Sequence, residues 1–203
     1  MTKNSQQNKN TLFRLTLTAL FIAIMIVMNF TPIGYITTGL FSITLLTIPV
    51  ALGAACLGPI GGMVLGLVFG LTSFLQAFGI GFVIDPSAAT LFNENPFGYT
   101  VMCFLPRILT GLISGLAFYL FKQKNCIGLP AFIVSAGLVP TFNTLLFMSF
   151  FALFYRNTIL GGASFLTVIF SAFTINFVIE FAVTVIAGAG INKAIYHYAK
   201  RYL

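Results

Sequence analysis

Apolar runs of membrane-crossing length alternate with short polar connections along almost the whole chain, at about 12–30, 43–57, 60–79, 100–121, 128–154 and 165–196. A helix needs about 20 predominantly apolar residues to cross a bilayer core, so the pattern predicts six spanning helices. Gly58-Pro59 divides the second run from the third. That pair cannot continue a helix and leaves almost no loop, which predicts a tight helical hairpin. The polar stretch Met1 to Asn10, rich in Asn and Gln, reads as a short cytoplasmic tail. The apolar run after it is too long and too uninterrupted for a signal peptide with a small-residue cleavage site.

Composition narrows the class further. Of 203 residues 59% are hydrophobic, and 6% are charged, against about 25% charged in a soluble domain. This excludes a soluble enzyme, a nucleic-acid-binding domain and a disordered protein, and predicts an all-α integral membrane protein forming one polytopic domain over residues 1–203. The net charge of +7 does not mark an anionic partner, because the basic residues sit at span ends, where they orient the chain. Lys3, Lys9 and Arg14 stand at one end, Lys122 and Lys124 in the fourth connection, and Lys193, Lys200 and Arg201 at the other end. The opposite side holds Arg156 with Asp85 and Glu94. An even number of spans with both termini cytoplasmic satisfies this distribution. Cys56, Cys103 and Cys126 show no CxxC and no pairing pattern, and read as small apolar packing residues.

The long connections, 31–42, 80–99 and about 155–164, then fall on the outer side, so the outer face is where something binds. The first mixes Pro32, Gly34, Tyr35 and Gly39 with Thr31, Thr37 and Thr38; the second carries turn chemistry at Asp85-Pro86 and Asn93-Glu94-Asn95-Pro96. Small residues four apart let helices approach closely in lipid. Gly58, Gly62, Gly66 and Gly70 make one such file, Gly111 and Gly115 a second, and Ala19 and Ala23 a third. These files read as internal packing grooves, or, for the alanine pair, as a smooth docking face for another membrane subunit.

Polar side chains inside a membrane need partners or a water-filled cavity. Gln76 lies near the outer end of the third span, Arg107 roughly 10 Å below the outer surface, and Asn143 and Asn176 each roughly 16 Å deep. Three amides and a guanidinium from four helices, all in the outer half, suit a small polar anion, since Arg takes a carboxylate as a bidentate pair. With Tyr35 and Asn93 from the outer connections they form the candidate binding set. Glu180, one turn inward of Asn176, reads first as a structural partner, with Arg107 the candidate, and second as a ligand or proton group. His197, beside Tyr196 and Tyr198, reads as an interfacial anchor.

No GxxxxGK[ST] loop and no HExxH occur, so neither ATP binding by a Walker motif nor an intramembrane metal site is expected. No catalytic constellation and no cofactor site are expected. The halves also lack the matched interrupted spans of an inverted-repeat carrier.

Taken in order, Ala19-Leu-Phe-Ile-Ala23, Phe41 to Pro49, Leu57-Gly-Pro59, Pro106-Arg-Ile-Leu-Thr-Gly111, Asn143-Thr-Leu-Leu and Asn176-Phe-Val-Ile-Glu180 resemble the substrate-binding membrane subunits, or S-components, of energy-coupling factor (ECF) vitamin transporters. The resemblance extends over nearly the whole chain, and is strongest to the pantothenate-specific branch. It implies six helices, tight binding of a vitamin or precursor from outside, and docking on a transmembrane coupling subunit (T-component) that carries two ATPases. It also implies that Ala19 and Ala23 lie on the docking surface, and that ATP hydrolysis resides in the partners. Pantothenate, with its carboxylate, amide and two hydroxyls, matches one Arg and several amides. Hydroxymethylpyrimidine or folate are the alternative substrates, and a stand-alone secondary carrier is the alternative class. A further reading of Arg107 is that it serves carbonyls left open by Pro106.

Overall fold

The computed structural model describes residues 3–37, 42–82, 86–124, 126, 128–155, 157, 167 and 175–199. Six helices are described: α1 (Lys3–Asn29), α2 (Thr47–Leu75), α3 (Pro86–Glu94), α4 (Pro96–Gln123), α5 (Leu129–Tyr155) and α6 (Ile175–Ala199). A two-stranded antiparallel ladder, β1 (Tyr35–Thr37) and β2 (Ser42–Thr44), pairs Tyr35 with Thr44 and Thr37 with Ser42. Four helical stretches among the described residues, 7–29, 47–78, 96–123 and 129–155, are long and apolar enough to cross a bilayer, and 177–191 is a shorter apolar helix.

The second of these stretches is bent back on itself. Gly58 has φ 79° and ψ −165°, a conformation that glycine adopts without a steric penalty, and Pro59 follows. A Cβ on Gly62 would lie 3.2 Å from the Ala54 Cβ, and one on Gly53 would run into the Leu65 side chain. Residues eight and twelve apart in one straight helix would be separated by roughly 12 and 18 Å. The two arms, 47–57 and 59–75, are therefore the hairpin that Gly58-Pro59 predicts.

The second arm of that hairpin, 59–75, packs antiparallel on α4 through glycine. A Cβ on Gly62 would meet the Gly111 carbonyl, one on Gly66 the Arg107 carbonyl, one on Gly70 the Cys103 carbonyl at 2.9 Å, and one on Gly115 the Pro59 Cα at 2.7 Å. One side of this arm is thus bare backbone at Gly62, Gly66 and Gly70, over a little more than two turns. Close approach of this kind is what holds helices together in lipid, where apolar surface alone provides no drive. α4 in turn packs on α5, α5 on α6, and α6 back on α2, while α1 leans on α2. Ser114 and Ser135 tie α4 to α5, each hydroxyl donating to the other's carbonyl at 2.8 and 3.1 Å. The Thr47 and Thr184 hydroxyls, 2.9 Å apart and buried, tie α2 to α6.

Several boundaries differ from the sequence expectation. The polar tail is helical from Lys3, since nothing in it terminates a helix. Residues 42–44, read as the start of the second span and its approach, lie in β2, and helix begins at Thr47. The connection 80–99 is largely helical. Pro86 opens α3 and Pro96 opens α4, the position where a missing N–H costs nothing, and the Asn95 side chain caps α4 by accepting from the Gly98 N–H at 2.8 Å. The turn residues there are thus helix starts. The Tyr155 hydroxyl sits between the Leu91 and Asn95 carbonyls at 2.9 Å each and fastens this corner to the end of α5. Most of 155–174 lies outside the described residues.

Candidate functional site

Pro106 sits in the interior of α4 and has no N–H, so the Met102 carbonyl one turn earlier has no helical donor. Arg107 Nη1 donates to that carbonyl. Gly66 allows the opposite helix to press directly on the Arg107 backbone, and the guanidinium emerges between two rings, 5.4 Å from the Phe69 centroid and 4.7 Å from the Phe147 centroid. Cation–π contacts of this kind, desolvated, are worth about 2 kcal/mol or more. With Nη1 engaged, the remaining Nε–Nη2 edge is the one that takes a carboxylate in parallel hydrogen bonds. Arg107 Nε is buried and has no hydrogen-bond partner.

Five more buried polar atoms among the described residues lack a partner: Asn29 Oδ1 on α1, the Tyr35 hydroxyl on β1, Thr110 Oγ1 on α4, Asn143 Oδ1 on α5 and Glu180 Oε1 on α6. An unpaired buried polar atom costs about 1–3 kcal/mol, and more when charged, so such a group marks a site built for something other than packing. Asn143 precedes Phe147 by one turn and so faces the same side of α5. The Tyr35 hydroxyl faces Ser73, Thr72 and Arg107 without closing a hydrogen bond of good geometry. Burial raises its pKa above the ordinary tyrosine value, although Ser73, Thr72 and Arg107 act the other way; it is a neutral donor at physiological pH. Glu180 is within reach of the field of Arg107 and of the Thr44 backbone amide.

Of the residues singled out from sequence, Tyr35, Arg107 and Asn143 are buried; the Arg107 charge acts on Tyr35, and Asn143 stands one helical turn before Phe147, whose ring lies against the guanidinium. Gln76 is half-buried in the single 3-10 turn Gln76–Phe78. It stands roughly 15 Å along the helix from Gly66, outside the group around Arg107. Asn93 is exposed on α3. Asn176 lies in the first turn of α6, with its side chain outside the described residues, as is that of His197. Ala19 and Ala23 are exposed on one face of α1. The expected Arg107–Glu180 pairing is corrected: both side chains are buried, and among the described residues no ion pair joins them. Sequence reasoning missed Phe69 and Phe147, for among 24 Phe nothing marks two as flanking a cation. It also missed Thr72, Ser73 and Thr110, which read as ordinary helix residues. No group of three or more potential metal ligands occurs among the described residues.

Residues 13–191 match the model of the family described as ECF transporter, substrate-specific component. The chain belongs to that family. It is also 32% identical over 156 residues, 73% of this chain and 76% of the relative, to the pantothenic acid transporter PanT of Lactococcus lactis subsp. cremoris. It is 34% identical over 117 residues, 55% of this chain and 53% of the relative, to the pantothenate transporter PanT of Leuconostoc mesenteroides subsp. mesenteroides. A substrate-specific ECF component is a transporter part embedded in a membrane, which agrees with the apolar helices. Its family works in general with a T-component and ATPases.

Proposed function

We propose that this S-component binds pantothenate with high affinity and translocates it as part of an ECF-type ABC importer in a prokaryotic plasma membrane. The observation that carries the reading is the buried Arg107, whose Nε edge is free among the unpartnered Tyr35 and Asn143. Pantothenate presents a carboxylate to such an edge and an amide to Asn143. The two relatives named as pantothenate transporters support the same substrate. Gln76, Asn93 and Asn176, further along the same helices and connections, complete the binding set.

In this reading the chain crosses the membrane six times with both termini cytoplasmic, the hairpin of α2 supplying two of the spans. The basic residues at both ends and at Lys122 and Lys124 support that orientation. The exposed Ala19 and Ala23 on α1 dock on the T-component, and hydrolysis of ATP belongs to two ATPase subunits. Calorimetric titration of the purified protein in detergent tests the substrate, with hydroxymethylpyrimidine, thiamine and folate as controls. Tight one-to-one binding of pantothenate alone is expected. A signal for another vitamin with silence for pantothenate overturns the substrate, and silence for all overturns the binding role.

A further inference from the structure

Thr110 departs from the pattern set by five other helical threonines. Thr11, Thr16, Thr18, Thr100 and Thr141 each donate to the carbonyl four residues earlier, a local outlet for a hydroxyl on a helix. For Thr110 that outlet is the Pro106 carbonyl, and it is not taken. Thr110 is 2% exposed, and its Oγ1 has no hydrogen-bond partner. A buried hydroxyl left unpaired is costly, so a position that forgoes its local acceptor calls for a partner from elsewhere.

The neighbouring helices fix where that hydroxyl lies. At 3.6 residues per turn, Arg107, Thr110 and Ser114 fall within an arc of about 60° on α4. Ser114 meets Ser135 on α5, and the Arg107 guanidinium lies against Phe147 of that same helix, so this face of α4 is turned toward α5. The two helices run antiparallel, and Thr110 stands between these two contacts, about level with Val139. On one side of it the serine hydroxyls are satisfied by each other's carbonyls, and Val139, fully buried in the apolar core, brings no polar side-chain atom. On the other side, one turn toward the start of α4, is Arg107, whose Cβ is about 5–6 Å from that of Thr110 and whose Nε is unpartnered.

Arg107 Nε and Thr110 Oγ1 are thus adjacent, buried and unmatched, and no hydrogen bond joins them. Both have a hydrogen to give, so what satisfies them together is one acceptor-rich group. A carboxylate has two oxygens and about four acceptor sites, enough to take the Nε–Nη2 edge of the guanidinium and a hydroxyl as well. An alcohol has a single oxygen and cannot meet all three donors. We propose that Thr110 is a specificity-determining residue that donates its hydroxyl hydrogen to the carboxylate held by Arg107, so that the two side chains together select the acid over the alcohol. This rests on the pantothenate reading above and adds a second side chain to the anion end of that site.

Thr110→Val keeps the branched shape and removes the hydroxyl, whereas Thr110→Ser keeps the hydroxyl. The test is calorimetry on the wild type and both variants with pantothenate and pantothenol, alongside melting of the ligand-free proteins. In Thr110→Val pantothenate is expected to weaken about ten- to hundredfold, the scale of a hydrogen bond to a charged acceptor, and pantothenol by less than about threefold. Thr110→Ser should hold pantothenate within about threefold of the wild type. The melting midpoint of ligand-free Thr110→Val should hold or rise, because an unpaired buried hydroxyl has been removed. Unchanged pantothenate affinity in Thr110→Val, or equal losses for the acid and the alcohol, overturns the proposal. So does a matching loss of affinity in Thr110→Ser with a lowered midpoint, which makes Thr110 a packing residue. Each of these results, obtained with wild-type binding intact, leaves the substrate reading standing; absence of pantothenate binding by the wild type removes that reading, and this inference with it.

Discussion

Arg107 donates a hydrogen bond to the Met102 carbonyl, which lacks a helical donor because Pro106 occupies the position that would supply one. The proline and the arginine are thus one device. The break in the helix creates an acceptor, and that acceptor anchors a buried cation by one nitrogen while another faces the site. Pro106→Ala restores the N–H to Met102 and releases the guanidinium. Thermal stability should hold or rise, since an interior proline costs about 3 kcal/mol where nothing compensates it. Pantothenate affinity should fall, by about three- to tenfold, as positioning is lost. Melting and titration of the same preparation check this, and an unchanged affinity would mean that the Met102 contact does not orient Arg107.

Removal of the guanidinium tests its partner in the ligand. Arg107→Ala should weaken pantothenate by about two orders of magnitude, the scale of a charge-assisted bidentate contact. Its alcohol analogue pantothenol, which has no carboxylate, should bind the variant and the wild type alike. Equal losses for the two ligands, read by calorimetry, would reduce Arg107 to a structural role.

The interface between α2 and α4 should tolerate no added atom at the glycines where backbones meet. Gly66→Ala and Gly111→Ala each drive a methyl into a carbonyl of the facing helix, an overpacking that costs about 1–3 kcal/mol. Gly190→Ala on α6 is the control. Nothing lies within 4 Å of the added carbon, so that substitution should leave stability unchanged or raise it by about 0.4–1 kcal/mol. Melting midpoints in detergent should order the three proteins accordingly.

The docking face separates binding from transport. Ala19→Trp or Ala23→Trp places a large ring on an exposed face of α1 without touching the site. Uptake by the assembled transporter should be lost while pantothenate affinity of the isolated protein stays within about twofold, because no core contact changes. Loss of binding instead would show that this face packs internally.

Much of this arrangement is legible in the sequence where one residue type permits a single outcome. Gly58-Pro59 forces the hairpin, and the four-residue glycine file names the close-packed face of α2. A lone Arg in the fourth apolar run has to be partnered, and the serving of a proline-freed carbonyl is readable from Pro106 beside it. What stays hidden depends on which of many equal residues face inward. Phe69 and Phe147 are indistinguishable from the other phenylalanines until α2 and α5 are set against α4. Asn93 is legible in identity but not in its local setting. Its turn-forming neighbours suggest a loop folded over the site, but Pro86 and Pro96 start helices, and α3 leaves Asn93 exposed. The separation of Arg107 from Glu180 depends on the relative rotation of α4 and α6, which no local pattern records.

That rotation is itself held by side chains away from the site. Ser114 and Ser135 exchange hydrogen bonds to each other's carbonyls, and their hydroxyls lie 3.0 Å apart. Both are fully buried. Ser114 is two turns along α4 from Arg107, on the same face, so the clasp sets the spacing of α4 and α5 below the point where Phe147 covers the guanidinium. A double-mutant cycle of Ser114→Ala and Ser135→Ala should give a coupling of about 0.6 kcal/mol and no more than about 1.7 kcal/mol, the mean and the maximum for hydrogen bonds between helices in lipid. Neither serine touches the binding residues, so any fall in pantothenate affinity measures transmitted movement. A loss of about two- to fivefold in the double variant, with little in either single one, is expected if the clasp holds Phe147 over Arg107. Unchanged affinity with full loss of the coupling energy would show that the α4–α5 spacing at the site is fixed by Gly66 and Pro106 alone.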